Sequence, residues 1–161
     1  MDPSSPDTGP TADPIDHQML LRAIEAAQQA AKAGEVPVGA VVYRGDECLA
    51  VAHNLRETDQ DPTAHAEILA LREAAARINS WRLVDCRIAV TLEPCPMCAG
   101  ALVNARLDRL VYGADDPKMG CVRTLDALCD DHRFNHVLEV VGGIEAERCG
   151  QLLSDFFRAR R

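Results

Sequence analysis

Two short segments carry the residues of this chain whose types and spacing could do chemistry. Residues 64–67 read Ala-His-Ala-Glu and contain His65, while residues 92–98 read Leu-Glu-Pro-Cys-Pro-Met-Cys and contain Cys95 and Cys98. One imidazole and two thiolates are good zinc ligands, and a catalytic zinc site usually takes three protein ligands and keeps a fourth position for water. The spacing therefore predicts that these three residues bind one zinc ion.

Glu67 follows the histidine by two positions, a spacing at which two side chains point in different directions from a regular helix. The glutamate therefore need not be a metal ligand. A carboxylate beside a metal-activated water can accept a proton from that water and deliver it to a leaving nitrogen. We accordingly predict Glu67 as the catalytic acid and base of a hydrolytic site.

Other interpretations of these residues stay open at this stage. A single histidine near a helix start often caps the helix or packs in the core, and a Cys-x-x-Cys pair also occurs in redox proteins and in structural zinc sites. A structural site would want a fourth ligand, and none of the other histidines has a paired spacing. The proline before the first cysteine and the glutamate after the histidine favour the hydrolytic site. The remaining histidines are His17, His53, His132 and His136.

The composition predicts a single globular domain. The chain has 161 residues, of which 47% are hydrophobic and 26% charged, so it can bury an ordinary core. No apolar run approaches the ~18 residues of a membrane span, and no secretory signal pattern opens the chain, so we expect a cytoplasmic protein without membrane contact. The formal net charge of −8 argues against indiscriminate binding to polyanions.

The seven cysteines are predicted to be free, because their number is odd and no export signal is present. Two of them form the candidate ligand pair. The other five stand singly among apolar or mixed neighbours and are expected to pack as small hydrophobic residues, with a third thiolate ligand among them left as an open alternative. These five are Cys48, Cys86, Cys121, Cys129 and Cys149.

Hydrophobic periodicity and turn residues divide the chain into a tail and one domain. The tail, residues 1–14, is rich in Pro, Ser and Asp and is expected to be disordered. The domain, residues 15–161, is predicted to contain a helix over 15–33, strands over 36–43 and 48–52, a helix starting at Asp61-Pro62, a strand over 87–92, a helix starting at Pro94, a strand over 107–113, a short helix over 125–130, a strand over 137–141 and a helix over 144–158.

The alternation of strands and helices predicts the fold class and the place of the site. We expect an α/β protein, a three-layer α/β/α sandwich with a mixed central sheet of about five strands. His65 and Glu67 would lie in the first turns of one helix. Cys95 and Cys98 would share one face of the first turn of the next, where the helix dipole favours the thiolate form that a metal requires.

Several segments of the chain closely resemble the bacterial tRNA-specific adenosine deaminases, within the cytidine deaminase-like superfamily. The resemblance covers about residues 17–161. It implies hydrolysis of the adenosine C–N bond at the wobble position of an arginine tRNA anticodon, giving inosine and ammonia, with one Zn2+ per subunit, a homodimer and the tRNA anticodon stem-loop as partner. The segments are Glu35-Val-Pro-Val-Gly-Ala40, Asp61-Pro-Thr-Ala-His-Ala-Glu-Ile68, Thr91-Leu-Glu-Pro-Cys-Pro-Met-Cys-Ala-Gly100, Tyr112-Gly-Ala-Asp-Asp-Pro-Lys-Met-Gly120 and Leu152-Leu-Ser-Asp-Phe-Phe157.

Three further site residues follow from the resemblance. Asn54 matches the asparagine that hydrogen-bonds the flipped adenine, and Asp116 matches an acid close to the RNA, which must accept from ribose hydroxyls because phosphate would repel it. Lys118 lies in the same segment as Asp116. The alternatives are a strand-end turn for Asn54 and a solvated loop for the other two. Asp115 stands where the family pattern leads us to expect a basic residue.

The basic end of the chain, Arg158 to Arg161, matches a place where the family meets RNA, although a helix C-terminus would favour arginines without RNA. Two rival functions stay open. The zinc motif would equally serve a deaminase of free guanine or of a cytidine compound. A non-catalytic zinc module that binds a partner is the rival from another class of protein.

Overall fold

The computed structural model describes residues 9–160, so the expected disorder of residues 1–8 lies outside the described part of the chain. The described residues form five helices and five strands. They are α1 (Pro14–Lys32), β1 (Gly39–Arg44), β2 (Glu47–His53), α2 (Arg56–Asp59), α3 (Ala66–Ile78), β3 (Arg87–Leu92), α4 (Pro96–Asn104), β4 (Arg109–Ala114), β5 (Glu139–Val141) and α5 (Ala146–Arg158). Within residues 9–160, no helix is both long and apolar enough to cross a membrane.

The five strands form one mixed sheet in the order β2-β1-β3-β4-β5. β1 pairs antiparallel with both β2 and β3, whereas β3, β4 and β5 run parallel to one another. Two consequences follow for the site. The carboxyl ends of β2, β3 and β4 meet at the same edge of the sheet, and the start of β1 lies at that edge too.

Helices cover both faces of the sheet, as the predicted three-layer α/β/α sandwich requires. α3 and α4 pack on one face, where alternate strand residues such as Val42, Ile88 and Leu110 join the largest buried cluster. α1 packs on the opposite face against the intervening residues Val41 and Ala89. Because side chains alternate between faces along a strand, these uninterrupted apolar runs supply both cores.

A buried carboxylate joins the start of α1 to the sheet. Asp13 and Asp16 form a capping box, in which each side chain accepts from the backbone N–H of the other residue. The fully buried Asp16 also accepts from the Tyr43 hydroxyl at 2.6 Å and from Arg87 and Arg109 at 3.0 and 2.8 Å. Burial would raise the pKa of Asp16, but these donors together hold it below its usual range.

Two helices begin later than their proline signals predict. Asp61 caps a turn instead of a helix, because its carboxylate accepts from the backbone N–H and the hydroxyl of Thr63, and α3 begins only after His65. In the second segment Pro96, not Pro94, occupies the first turn of α4. A proline holds the residue before it in an extended conformation, so Cys95 becomes the N-cap residue.

The short helix predicted over 125–130 is wrong. The backbone N–H groups of Leu125 and Leu128 donate to Gly120 and Cys121, which precede the segment, and that of Leu138 donates to Cys129. The segment therefore bonds to its neighbours along the chain instead of forming its own helical turns. Tertiary contacts outweigh an apolar spacing that is too short to nucleate a helix alone.

Candidate active site

The candidate site lies where strands end and helices begin. His65 is the N-cap residue of α3 and Cys95 is the N-cap residue of α4, while Cys98 lies in the first turn of α4. Neither His65 nor Cys95 caps its helix with a side-chain hydrogen bond. The positive ends of two helix dipoles therefore face one region at the edge of the sheet.

The three predicted ligands meet there. The Nδ1 atom of His65 lies 3.6 Å from the sulfur of Cys95 and 3.5 Å from that of Cys98. One ligand atom from each residue lies within 4.8 Å of the others. Metal bonds of about 2.0–2.3 Å at tetrahedral angles would separate such ligands by roughly 3.5 Å, so the cluster fits a zinc ion.

The electrostatics of the cluster also suit a cation. A hydrogen bond from the Cys98 thiol, with one to His65, lowers the pKa of Cys95 to about 4. The adjacent Cys95 thiolate and burial then raise the pKa of Cys98, because two neighbouring thiolates repel each other. The bond to Cys95 raises the pKa of His65. A bound divalent ion would relieve the repulsion and allow both sulfurs to ionise.

Glu67 lies beside the cluster in the first turn of α3 and is only 4% exposed. Burial raises the pKa of its carboxyl group above the usual range. The residue lines a cavity of about 340 Å³ together with His65, Cys95 and Asn54. A buried carboxyl group whose pKa is raised holds a proton more readily than an exposed one, which is a property expected of an acid–base catalyst.

Asn54 is buried in the wall formed by the end of β2. Its side-chain oxygen accepts from the backbone N–H of Arg56 at 3.1 Å, and its nitrogen donates to the carbonyl of Val36 at 3.4 Å. These bonds fix the plane of the amide. One donor hydrogen and one acceptor lone pair remain for a molecule in the cavity, so the turn role and the binding role are compatible.

Asp116 lines the opposite wall, whereas Lys118 is exposed and does not line the cavity. The Asp116 carboxylate accepts from the backbone N–H groups of Lys118 and Met119, which closes a tight turn after β4. Asp115 accepts from the buried Tyr112 hydroxyl at 2.9 Å. The acid that departs from the family pattern thus holds a core tyrosine in place.

Two buried glutamates that were not predicted from the sequence stabilise the walls of the cavity by accepting backbone hydrogen bonds. Glu35 accepts from the backbone N–H groups of Glu57 and Thr58 in α2. Glu93 accepts from the backbone N–H groups of Asp116, Val122, Arg123 and Thr124 and from the Thr124 hydroxyl. Burial would raise the pKa of Glu93, but these donors lower it to about 2. The signal was present in the sequence, since each is a lone acid in an apolar segment with a proline one or two residues later.

The other five cysteines are free, and four of them are buried as expected, with Cys48 partly exposed. None joins the metal-ligand cluster among the described residues. His17 bonds to Glu145, and His136 bonds to the carbonyl of Leu107. A fourth protein ligand, which a structural zinc site would want, is therefore not found in residues 9–160.

A mixed five-stranded sheet with a His-Cys-Cys cluster and a buried glutamate at its edge defines a deaminase of the cytidine deaminase-like class. The family model of MafB19-like deaminases matches residues 15–161. The chain is 51% identical to the tRNA-specific adenosine deaminase of Bacillus subtilis over 146 residues, covering 91% of each protein. It is 47% identical to that of Haemophilus influenzae over 148 residues, covering 91% of this chain and 86% of the relative.

A solved structure from work on tRNA:A34 deaminases superimposes with a TM-score of 0.81 at 35% identity, covering 84% of this chain and 99% of the other. Within its class, the chain belongs to the bacterial tRNA-specific adenosine deaminase family. The fold and the recognition made from the sequence are thereby confirmed.

Proposed function

We propose that this protein is a zinc-dependent hydrolase that converts adenosine to inosine at the wobble position of a tRNA anticodon, with release of ammonia. The tRNA that we propose as its substrate is an arginine tRNA. The observation that carries the proposal is the cluster of His65, Cys95 and Cys98 with the buried carboxyl group of Glu67 at one cavity. The same residues lie in a chain about half identical to tRNA-specific adenosine deaminases.

Each residue then has a distinct task. His65, Cys95 and Cys98 would hold one Zn2+ per subunit, and zinc at such a site supplies a water whose pKa falls toward 7. Glu67 takes a proton from the attacking water and returns it to the leaving amino nitrogen. The burial that raises the pKa of Glu67 favours this shuttle, because the carboxyl group then takes up and holds the proton more readily before it passes to the leaving nitrogen.

The cavity supports a single extruded nucleobase as the substrate. Glu67 and Asn54 are buried where they line this cavity of about 340 Å³, so a base must leave its stack to reach them. The free donor and acceptor of the Asn54 amide then meet the edge of the purine, while Asp116 accepts from a ribose hydroxyl. Lys118, at the turn beside Asp116, would contact the RNA backbone outside the cavity.

Further parts of the proposal concern assembly and location. The resemblance implies a homodimer, and the exposed side chains of Met97 and Leu125 offer apolar surface for a second copy. Sedimentation equilibrium at micromolar concentration should show the dimer mass. Since the proposed substrate is a tRNA anticodon, we propose that the enzyme works in the cytoplasm and binds no membrane.

The decisive experiment is an inosine assay on purified protein. Total tRNA, an arginine tRNA whose anticodon begins with adenosine, and free adenosine, guanine and cytidine are compared as substrates. We expect inosine in the arginine tRNA and little turnover of free compounds. Turnover of free guanine or cytidine without inosine in tRNA would instead support the rival deaminase with the same zinc site.

The Glu67→Ala variant separates an enzyme from a non-catalytic zinc module. It should keep its zinc and its fold while losing inosine formation, because the ligand cluster does not include Glu67. Zinc is measured by metal analysis and the fold by circular dichroism. Unchanged ammonia release in this variant would remove Glu67 from its proposed role.

A further inference from the structure

One permanently positive side chain lines the cavity within the described residues, and it belongs to Arg56. The remaining charged groups there include the carboxylates of Glu67, Glu93 and Asp116. Because the chain has a formal net charge of −8, a cation in the wall of this cavity calls for a physical explanation. An RNA substrate is a polyanion, and a cation at the cavity mouth would attract its phosphate backbone.

The Arg56 backbone is held firmly although its side chain is exposed. Its N–H donates to the side-chain oxygen of Asn54 at 3.1 Å, and the next two N–H groups, of Glu57 and Thr58, donate to the buried carboxylate of Glu35 at 3.1 and 2.8 Å. Asn54, which faces the base, and Arg56 are thereby part of one fixed turn. With the backbone fixed, only the side-chain torsions of Arg56 need to be ordered on binding.

The Arg56 guanidinium has no carboxylate partner among residues 9–160. The acids Glu57 and Asp59 lie on the same short helix, yet no carboxylate oxygen comes within 4.0 Å of the arginine. Arg87, Arg109 and Arg123, by contrast, each have a carboxylate partner. The positive charge of Arg56 is therefore available to an anion.

The sheet order decides which wall of the cavity the RNA backbone follows. Arg56 follows β2, whereas Asp116 follows β4, and β1 and β3 lie between these strands. The two charges thus stand on opposite sides of the cavity. A phosphate is repelled by the wall that carries Asp116 and attracted by the wall that carries Arg56.

Depth in the cavity decides which part of the nucleotide Arg56 meets. Glu67 and Asn54 are buried, so the base that reacts must reach the interior, while the exposed Arg56 stays at the mouth. A nucleotide that enters base first leaves its phosphates at the mouth. We propose that Arg56 binds a backbone phosphate next to the extruded nucleotide and thereby sets the path of the RNA across the site. This inference rests on the proposed function.

The test uses the zinc-loaded full-length protein and an anticodon stem-loop RNA with adenosine at the wobble position. Arg56→Gln removes the charge and keeps much of the length, and Arg56→Lys keeps the charge. Arg44→Gln is the matched control, because Arg44 is an exposed arginine at the far end of β1 with only a weak ion pair to Glu47 at 3.8 Å. The Kd for the RNA is measured by fluorescence anisotropy over a range of KCl, and KM and kcat for inosine formation are measured in parallel.

We expect Arg56→Gln to raise Kd and KM about tenfold at low salt with kcat nearly unchanged, and to lower the salt slope of log Kd by about 0.7–0.9, as the loss of one phosphate contact predicts. Arg56→Lys should restore most of the affinity. Arg44→Gln should match the wild type in all three quantities.

Two outcomes would overturn the assignment. In the first, Arg56→Gln changes Kd and the salt slope no more than Arg44→Gln does. In the second, Arg56→Gln leaves the slope unchanged but alters the preference among neighbouring bases, which would mean that Arg56 reads a base. If wild-type protein binds the RNA in an Arg56-dependent manner yet forms no inosine, the proposed function fails and the phosphate contact stands.

Discussion

Glu93→Gln tests whether one buried carboxylate holds the wall of the site that carries Asp116. One oxygen of Glu93 accepts from the backbone N–H groups of Val122, Arg123 and Thr124, and the other accepts from Asp116 N–H and the Thr124 hydroxyl. Glutamine keeps the size of the side chain but replaces one acceptor oxygen by an NH2 donor.

The magnitude follows from these five hydrogen bonds. The amide oxygen of glutamine can retain the three neighbouring N–H groups, and the Thr124 hydroxyl can rotate to accept from the new NH2 group. The Asp116 N–H then faces another donor, and a buried donor without a partner costs about 1–3 kcal/mol. The other bonds lose their charge assistance, so we expect a total loss of about 3 kcal/mol. For a domain of this size that corresponds to a drop in Tm of roughly 6–12 °C.

The assay compares thermal unfolding of wild type, Glu93→Gln and the control Glu73→Gln at equal zinc content. Glu73 is an exposed residue of α3, so its variant should unfold like the wild type. Below the unfolding range, Glu93→Gln should raise KM for the stem-loop RNA, because the turn with Asp116 shifts. A Tm for Glu93→Gln within about 1 °C of that for Glu73→Gln would refute the reasoning, since surface substitutions rarely do more.

Three further predictions concern the supports of the site. Asp16→Asn should cost about 3 kcal/mol in urea unfolding, because the partly buried Arg87 and Arg109 lose the buried carboxylate that they share and keep only Asp13 and Glu139. The folded-state pKa of Asp16 lies below its usual range, so the contribution of its carboxylate to the free energy of unfolding is present above about pH 4 and is lost as the pH falls. The free energy of unfolding of the variant should therefore vary less with pH in acid than that of the wild type. Gly39→Ala should unfold at a lower temperature than the wild type, because a Cβ atom at this position would lie 2.8 Å from the backbone nitrogen of Ala27 in α1. A Cβ atom at Gly150 would meet open space, so Gly150→Ala should raise the free energy of unfolding by about 0.5–1 kcal/mol. Cys95→Ala should lose both metal and stability, because the site joins two helix starts, and a fully folded, zinc-loaded variant would contradict this.

The local sequence determined which groups could react. Ligand types, their spacing and the glutamate two residues after the histidine predict a metal-assisted hydrolysis before any fold is known, because donor chemistry belongs to the residues themselves. Most of the strand and helix order was also readable, since the period of apolar residues is set by backbone geometry, but α2 was not predicted and the helix predicted over 125–130 is absent. The ends of helices and strands were less easily read from the sequence. Asp61 has the side chain of a helix cap, yet it closes a turn with Thr63.

Only the tertiary structure decided how the cavity is walled. Asn54 and Asp116 were named from resemblance, but their opposite positions follow from the order of strands in the sheet, which no local pattern encodes. Glu35 and Glu93 lie 22–31 residues from the backbone N–H groups that donate to them, so folding brings these partners together. Arg56 reaches the same cavity from the segment after β2. The sequence by itself thus predicts the reacting groups, whereas long-range hydrogen bonding and strand order bring them to one cavity, because contacts between distant residues depend on the whole fold.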